Sequence, residues 1–291
     1  MIIQTDLNSF SYGWHHVVPW CKRCGIRKVV KDGKHNKRQR YKCNHCGFRF
    51  VFTSDLPKRR SPSHDIVAAV EMYTSNVGIS LRTIARKFKD WFGTKISHEG
   101  VRKWVHACAN KLNYRIQPEV SEIWHIDETY IKIRGKGHWL WIVQCAQTRA
   151  VLAWHISKAH LLKDAIAVLR KALKNAGMRP HKIITDKLWQ YPAAIKRVMG
   201  WNWREQKNRH VQDSGIGKNA LIERLNREVK RRVKWFSTFQ DKKCCKRFFN
   251  LFFYHYNQTP NRCLGMAPFA AAKVPLKSLK KYLQGLPSPQ T

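Results

Sequence analysis

Ile123-Trp124-His125-Ile126-Asp127-Glu128-Thr129-Tyr130-Ile131-Lys132 is a β-branched and aromatic run with two acids in its middle. That composition predicts a strand over Ile123–Ile133. An Asp in an otherwise apolar strand costs free energy unless it is paired or bound to a metal. The pattern recurs in Lys182-Ile183-Ile184-Thr185, a short strand running directly into Asp186. A third acid, Glu223, stands early in a helical run from about Asn219 to Lys234, where Ile222, Leu225, Val229, Val233 and Phe236 make the buried stripe. Lys230 lies seven residues after Glu223 and points within about 20° of it. Glu128, by strand alternation, faces away from Asp127 and is left out of the set. His125 shares the face of Asp127 and reads either as support for that acid or as core.

Asp127, Asp186 and Glu223 are therefore the candidate catalytic residues. Their hard oxygen donors select Mg²⁺ or Mn²⁺. Two such ions can activate an attacking oxygen and stabilise a leaving one in an in-line displacement at phosphorus. Lys230 and Arg227, on the helix of Glu223, are candidate contacts for the phosphate backbone.

Charge supports a polyanionic partner. The chain has 291 residues, with 56 Lys and Arg against 18 Asp and Glu, a formal net charge of +38. The basic residues are spread through segments that also carry apolar and aromatic side chains, which favours a broad nucleic-acid footprint over a membrane anchor. Hydrophobic residues make up 43%, enough for a core. No apolar run approaches the ~20 residues of a membrane helix. The opening MIIQTDLNSFSYGWHH shows no basic region followed by an apolar one, so no secretion signal is expected. The reading is of an intracellular, reduced protein.

In such a compartment paired cysteines indicate metal rather than disulfides. Cys21-Lys22-Arg23-Cys24 and Cys43-Asn44-His45-Cys46 have C-x₂-C spacing, with an 18-residue insert between them. Two such knuckles make a tetrahedral four-thiolate site for one structural Zn²⁺. Gly25 and Gly47 follow the pairs where a positive φ is wanted. The remaining five cysteines lack ligand spacing and read as core or incidental.

Between the ribbon and the first Asp, residues 65–113 read as helical. Ser80 and Ser97 are candidate N-caps, and Gly93 falls between the two helices they start. A helix, a turn and a second helix bearing His98, Arg102 and Lys103 fit a helix-turn-helix that enters the major groove. Further strands are expected at His138–Gln144, Ala150–Ile156 and Asn202–Gln206. Helices are expected at Leu161–Asn175, Tyr191–Met199 and Lys242–Tyr256. The expected division is 1–60 zinc ribbon and linker, 61–118 helix-turn-helix, 119–275 catalytic domain and 276–291 basic tail. Trp201 and Trp203 read as core, or alternatively as a stacking platform for an unpaired base.

The runs HIDETYIKIRGKGHWLW, ITDKLWQYPAAI and NALIERLNREVKRRVKWFSTF together resemble the DDE transposases of small insertion sequences, most nearly the insertion-sequence-six group and its archaeal-type relatives. Asp127 and Asp186 are 59 positions apart, and Asp186 and Glu223 are 37 apart. The resemblance covers about Glu122–Ala272. Gln144 departs from it, standing in a strand where relatives often carry an acid, and Asn261 stands where they usually have His. The resemblance implies an α/β, ribonuclease H-like domain with a mixed five-stranded sheet and flanking helices. It also implies nicking of element ends, attack of the freed 3′-hydroxyl on target DNA, and a homodimer or higher homo-oligomer on DNA. The setting it implies is cytoplasmic and nucleoid-associated, in a prokaryote. A transposase-derived DNA-binding protein without catalysis is the alternative class, and the intact set of three carboxylates argues against it.

Overall fold

A computed structural model of the chain describes residues 21, 23–24, 28–35, 38–51, 63–75, 79–112, 122–200, 209–212, 219–235 and 237–274. It divides into two compact units, residues 1–54 and 55–291. In the first, β1 (Val29–His35), β2 (Arg38–Cys43) and β3 (Arg49–Val51) form an antiparallel sheet in that order. The small core beneath it is Cys21, Cys43 and Phe50. Asp32 is gripped by Arg40 at 3.1 Å and Arg49 at 3.0 Å, so one acid serves two of the many cations of this segment.

The second unit begins with α1 (Ser63–Thr74), α2 (Leu81–Phe92) and α3 (His98–Lys111). Their ends follow local chemistry. Ser80 and Ser97 cap α2 and α3 by accepting from the amides of Thr83 and Gly100, which satisfies donors left open in a first helical turn. Gly93, at φ 65°, closes α2 in the left-handed conformation, where a Cβ is penalised.

The sheet that follows contains β4 (Ile123–Ile133), β5 (Lys136–Cys145), β6 (Val151–Ser157), β7 (Lys182–Thr185) and β8 (His210–Gln212). Its order is β6-β5-β4-β7-β8. The first three strands form an antiparallel meander, β7 pairs parallel to β4, and β8 pairs parallel to β7. This mixed five-stranded sheet with helices on both faces is the ribonuclease H-like fold. Its last strand lies at His210–Gln212; the expected strand Asn202–Gln206 falls outside the described residues, as do Phe236 and the tail beyond Val274.

Strand alternation divides the sheet residues between two cores. Trp124, Ile126, Trp141 and Val143 pack with α4 (Leu162–Ala176) and α5 (Gln190–Met199). Ile131, Ile133, Leu140 and Ile142 pack with α6 (Ala220–Lys234) and the aromatic α7 (Lys242–Gln258). The last helix among the described residues is the short α8 (Pro268–Ala271). The first core also takes in Ile66, Ile84, Phe88 and Trp104 from α1–α3. Arg232 of α6, only 2% exposed, donates to the carbonyl of Tyr73 in α1 and lies over the rings of Tyr73 and Phe248. Arg247 of α7 reaches Asn110 and His106 of α3.

Edge strand β6 is finished by a side chain. Asn257, fully buried at the end of α7, accepts from the amide of Val151 at 2.9 Å and donates to its carbonyl at 3.1 Å. Its amide thus stands in for a missing neighbouring strand. Beside it, Gln144 donates to the hydroxyl of Tyr256 and to the carbonyl of Arg149, so this departure from the family pattern has a structural use. Asn257→Ala leaves both groups of Val151 buried without these partners, and is expected to lower unfolding stability by roughly 2–4 kcal/mol, read as a lower denaturant midpoint with unchanged slope.

Candidate active site

The parallel ladder between β4 and β7 ends at the pair Ile126↔Thr185. Asp127 and Asp186 are the next residue on each strand, so the ladder carries two acids side by side at its carboxyl end. Local bonds orient Asp186: Thr185 Oγ1 donates to its carbonyl, and its Oδ1 accepts from the amide of Leu188 at 3.0 Å. Asp127 Oδ2 accepts from Nδ2 of Asn226 at 2.7 Å. Asn226 comes from α6, three residues after Glu223, so the two share a face of that helix. The start of α6 is tied to β4 as well, since buried His125 donates from Nδ1 to Oδ1 of Asn219 at 2.9 Å. His125 is therefore a link between the strand of Asp127 and the helix of Glu223.

Asp127, Glu128 and Asp186 offer carboxylate oxygens that lie within 4.8 Å of one another. The presence of Glu128 corrects the sequence expectation. Alternation does hold for the backbone: Asp127 meets α6, whereas Glu128 meets α5 on the other face, accepting at Oε2 from the hydroxyl of Tyr191 at 2.6 Å. But β7 stops pairing at Thr185, and among the described residues nothing pairs with this edge of β4 again until Phe239 bridges to Ile133. A glutamate is long enough to reach that edge from its own face. Glu223 is exposed and outside the close group, although its charge is felt at Asp127.

Sequence reasoning missed three polar residues here: Asn226, Tyr191 and Glu128. Asn226 had a signal, as a poor helix former three positions after the candidate acid. Tyr191 and the inward reach of Glu128 had none, since both depend on how α5 packs. Lys230 and Arg227 are exposed on α6, and His98 and Lys103 are exposed on α3. Arg102 is engaged within its own helix, paired with Glu99 and 3.1 Å from Nδ1 of His106. Trp201 and Trp203 lie outside the described residues.

The four cysteines of the first unit converge, with ligand atoms within 4.8 Å of one another. Sγ atoms of Cys21 and Cys46 are 3.4 Å apart, and those of Cys24 and Cys43 are 3.7 Å apart. Burial opposes ionisation of Cys21, yet the amides of Cys24 and Arg23 and the adjoining thiols bring it down to about 6. Gly47 takes φ 69° at the second knuckle; Gly25 is outside the described residues. Four soft thiolates at one point fit Zn²⁺.

Electrostatics at the carboxylates run the other way. Burial drives Asp127 up to about 7, with the charges of Asp186 and Glu223 adding to it and Asn226 opposing. Burial likewise raises Glu128 to about 7, against the Tyr191 hydrogen bond and with help from Asp186 and Asp127. Such a group of acids, costly to ionise alone, fits a hard divalent cation. Because unfolded carboxylates titrate near pH 4, the folded state holds more protons between about 4 and 7, and these groups' contribution to stability falls as pH rises through that window. Without added divalent cation, Asp127→Asn should therefore gain in Tm relative to wild type between about pH 5 and pH 8. Mg²⁺ should reduce the gain. A Tm difference independent of pH would contradict the raised pKa.

A family model described as a DDE domain matches residues 121–253. The transposase for the insertion sequence-like element IS431mec of Staphylococcus aureus is 28% identical over 170 residues, covering 57% of this chain and 73% of the relative. The uncharacterized 48.3 kDa protein of insertion element ISM1 from Methanobrevibacter smithii is 25% identical over 147 residues, covering 45% of this chain and 36% of the relative. Among solved structures, the HTLV-2 integrase catalytic core domain in complex with magnesium aligns with 53% of this chain and 97% of its own, at TM-score 0.40 and 14% identity. With its sheet order and its two acids at the carboxyl end of a parallel ladder, the segment 121–253 matches a DDE domain and is similar to these transposases, which supports a DDE-type polynucleotidyl transferase.

Proposed function

We propose that this chain is a DNA transposase that binds the terminal inverted repeats of its element, nicks them to expose a 3′-hydroxyl and joins that hydroxyl to target DNA. The observation that carries the reading is the pair Asp127 and Asp186, abreast at the end of the β4–β7 ladder, with Asn226 of α6 bonded to Asp127 and Glu223 one turn earlier on the same helix. Asp127, Asp186 and Glu223 would hold two Mg²⁺ or Mn²⁺ ions, which supply activation of the attacking oxygen and stabilisation of the leaving one. Asn226 fixes one oxygen of Asp127 and leaves the other to face the reacting groups. His125 sets the start of α6, and so the reach of Glu223.

Lys230 and Arg227 continue along α6 and would meet the backbone of the strand being cut. The net charge of +38 supplies long-range attraction for duplex DNA. End recognition falls to the amino-terminal modules. There Cys21, Cys24, Cys43 and Cys46 would hold one structural Zn²⁺, and α3 would present His98, Lys103 and, once released from Glu99, Arg102 to the major groove. A homodimer or higher homo-oligomer would hold two ends together. Among the described residues no helix is long and apolar enough to cross a membrane.

Two measurements test this reading. Glu223→Gln should fold and bind element-end DNA as wild type does, yet lose cleavage and strand transfer together by roughly 100-fold or more, because both steps use the same ions. Retained joining in a gel assay with Mn²⁺ would refute the role of Glu223. Elemental analysis of chain purified without chelators should find one zinc per molecule. Cys43→Ser should release it and remove the protection of residues 28–51 from hydrogen exchange, since metal binding supplies much of the folding free energy of so small a module.

A further inference from the structure

The proposed mechanism leaves Glu128 and Tyr191 without a task. Glu128 is a mostly buried carboxylate beside two others, a placement that packing alone disfavours. Its orientation is nonetheless fixed with care. Oε2 accepts from the Tyr191 hydroxyl at 2.6 Å, and Oε1 stands 3.7 Å from Nε2 of His160, too far for a hydrogen bond. Tyr191 is itself immobilised, fully buried with its ring edge-on to Trp141 at 5.9 Å. The neighbouring Gln190 donates to the carbonyl of His160 at 2.7 Å, and the His160 ring lies against Trp139 at 3.6 Å. One glutamate oxygen is thus anchored from behind by a rigid hydroxyl, in the manner of outer partners that orient metal ligands. Glu223, by contrast, is exposed on its helix and outside the close group.

We propose that Glu128 is a fourth carboxylate of the metal site, joining Asp127 and Asp186 to take up the first divalent cation before DNA arrives, with Tyr191 as its positioning residue. Glu223 then completes the site for the second ion. The inference rests on the reading of Asp127 and Asp186 as metal ligands, and adds an order of assembly: a preformed three-carboxylate half on β4 and β7, and a later half on α6.

The test is a Mn²⁺ titration of the full chain, purified with zinc and without DNA, followed by electron paramagnetic resonance. Glu128→Gln should weaken the first Mn²⁺ by more than tenfold and alter its signal, and Tyr191→Phe should weaken it by about tenfold. Glu223→Gln should leave that first affinity within about twofold of wild type. If Asp127→Asn loses the ion while Glu128→Gln and Tyr191→Phe both keep wild-type affinity, the role of Glu128 is overturned and the site of Asp127 stands. If Asp127→Asn also keeps wild-type affinity, the metal site itself is wrong, and this inference falls with it. Should circular dichroism show Glu128→Gln unfolded, Tyr191→Phe, which deletes one oxygen, decides the matter alone.

Discussion

The parallel pairing of β4 with β7 is the constraint on which the site depends. Four residue pairs, from Ile123↔Lys182 to Ile126↔Thr185, fix where each strand ends relative to the other. A one-residue slip would move Asp186 along the ladder and exchange the faces of its neighbours. The register is held because Ile126 and Ile183 are buried in the core beneath α4 and α5. The hydrophobic core therefore sets the spacing of the acids, and those acids need no covalent or local device to bring them together across 59 positions of sequence.

Holding carboxylates there is unfavourable on its own. Burial and mutual repulsion push Asp127 and Glu128 well above the ordinary carboxylate range, and neutral hydrogen bonds from the Glu128 amide, from Asn226 to Asp127 and from Tyr191 to Glu128 work against this. A site of this kind is stabilised by the charge it binds. The same logic operates on the whole molecule with opposite sign. A chain with a net charge of +38 repels itself, and a polyanion relieves that repulsion.

Polar side chains do much of the work of joining elements. Asn257 completes the edge of β6, His125 ties β4 to α6, and Arg232 and Arg247 tie α6 and α7 to α1 and α3. Apart from the exposed bond of Arg247 to Asn110, these bonds are buried or partly buried, where an unmade partner is expensive. The three amino-terminal helices of the second unit consequently share its core and its hydrogen bonds, whatever their independent role on DNA.

From the sequence alone, the two Asp-bearing strands, the helix of Glu223 and the four-cysteine cluster were legible. Each is a local pattern: β-branched runs ending in acid, a 3.6-residue stripe, or two C-x₂-C pairs. The caps at Ser80 and Ser97 were legible for the same reason, since a cap is decided within four residues. The last strand of the sheet was not, because His210–Gln212 is too short to show a period and exists only by pairing with β7. Nor was the part played by Glu128. Alternation correctly assigns it to the face away from Asp127, but period-two reasoning assumes a neighbour on every side. Only the folded sheet reveals that β7 ends at Thr185, that among the described residues this edge of β4 then has no partner before Ile133 meets Phe239, and that α5 sets Tyr191 where it turns Glu128 toward the two aspartates. The sequence determined which acids stand at strand ends; tertiary packing decided which of them meet, because that depends on where a neighbouring strand stops.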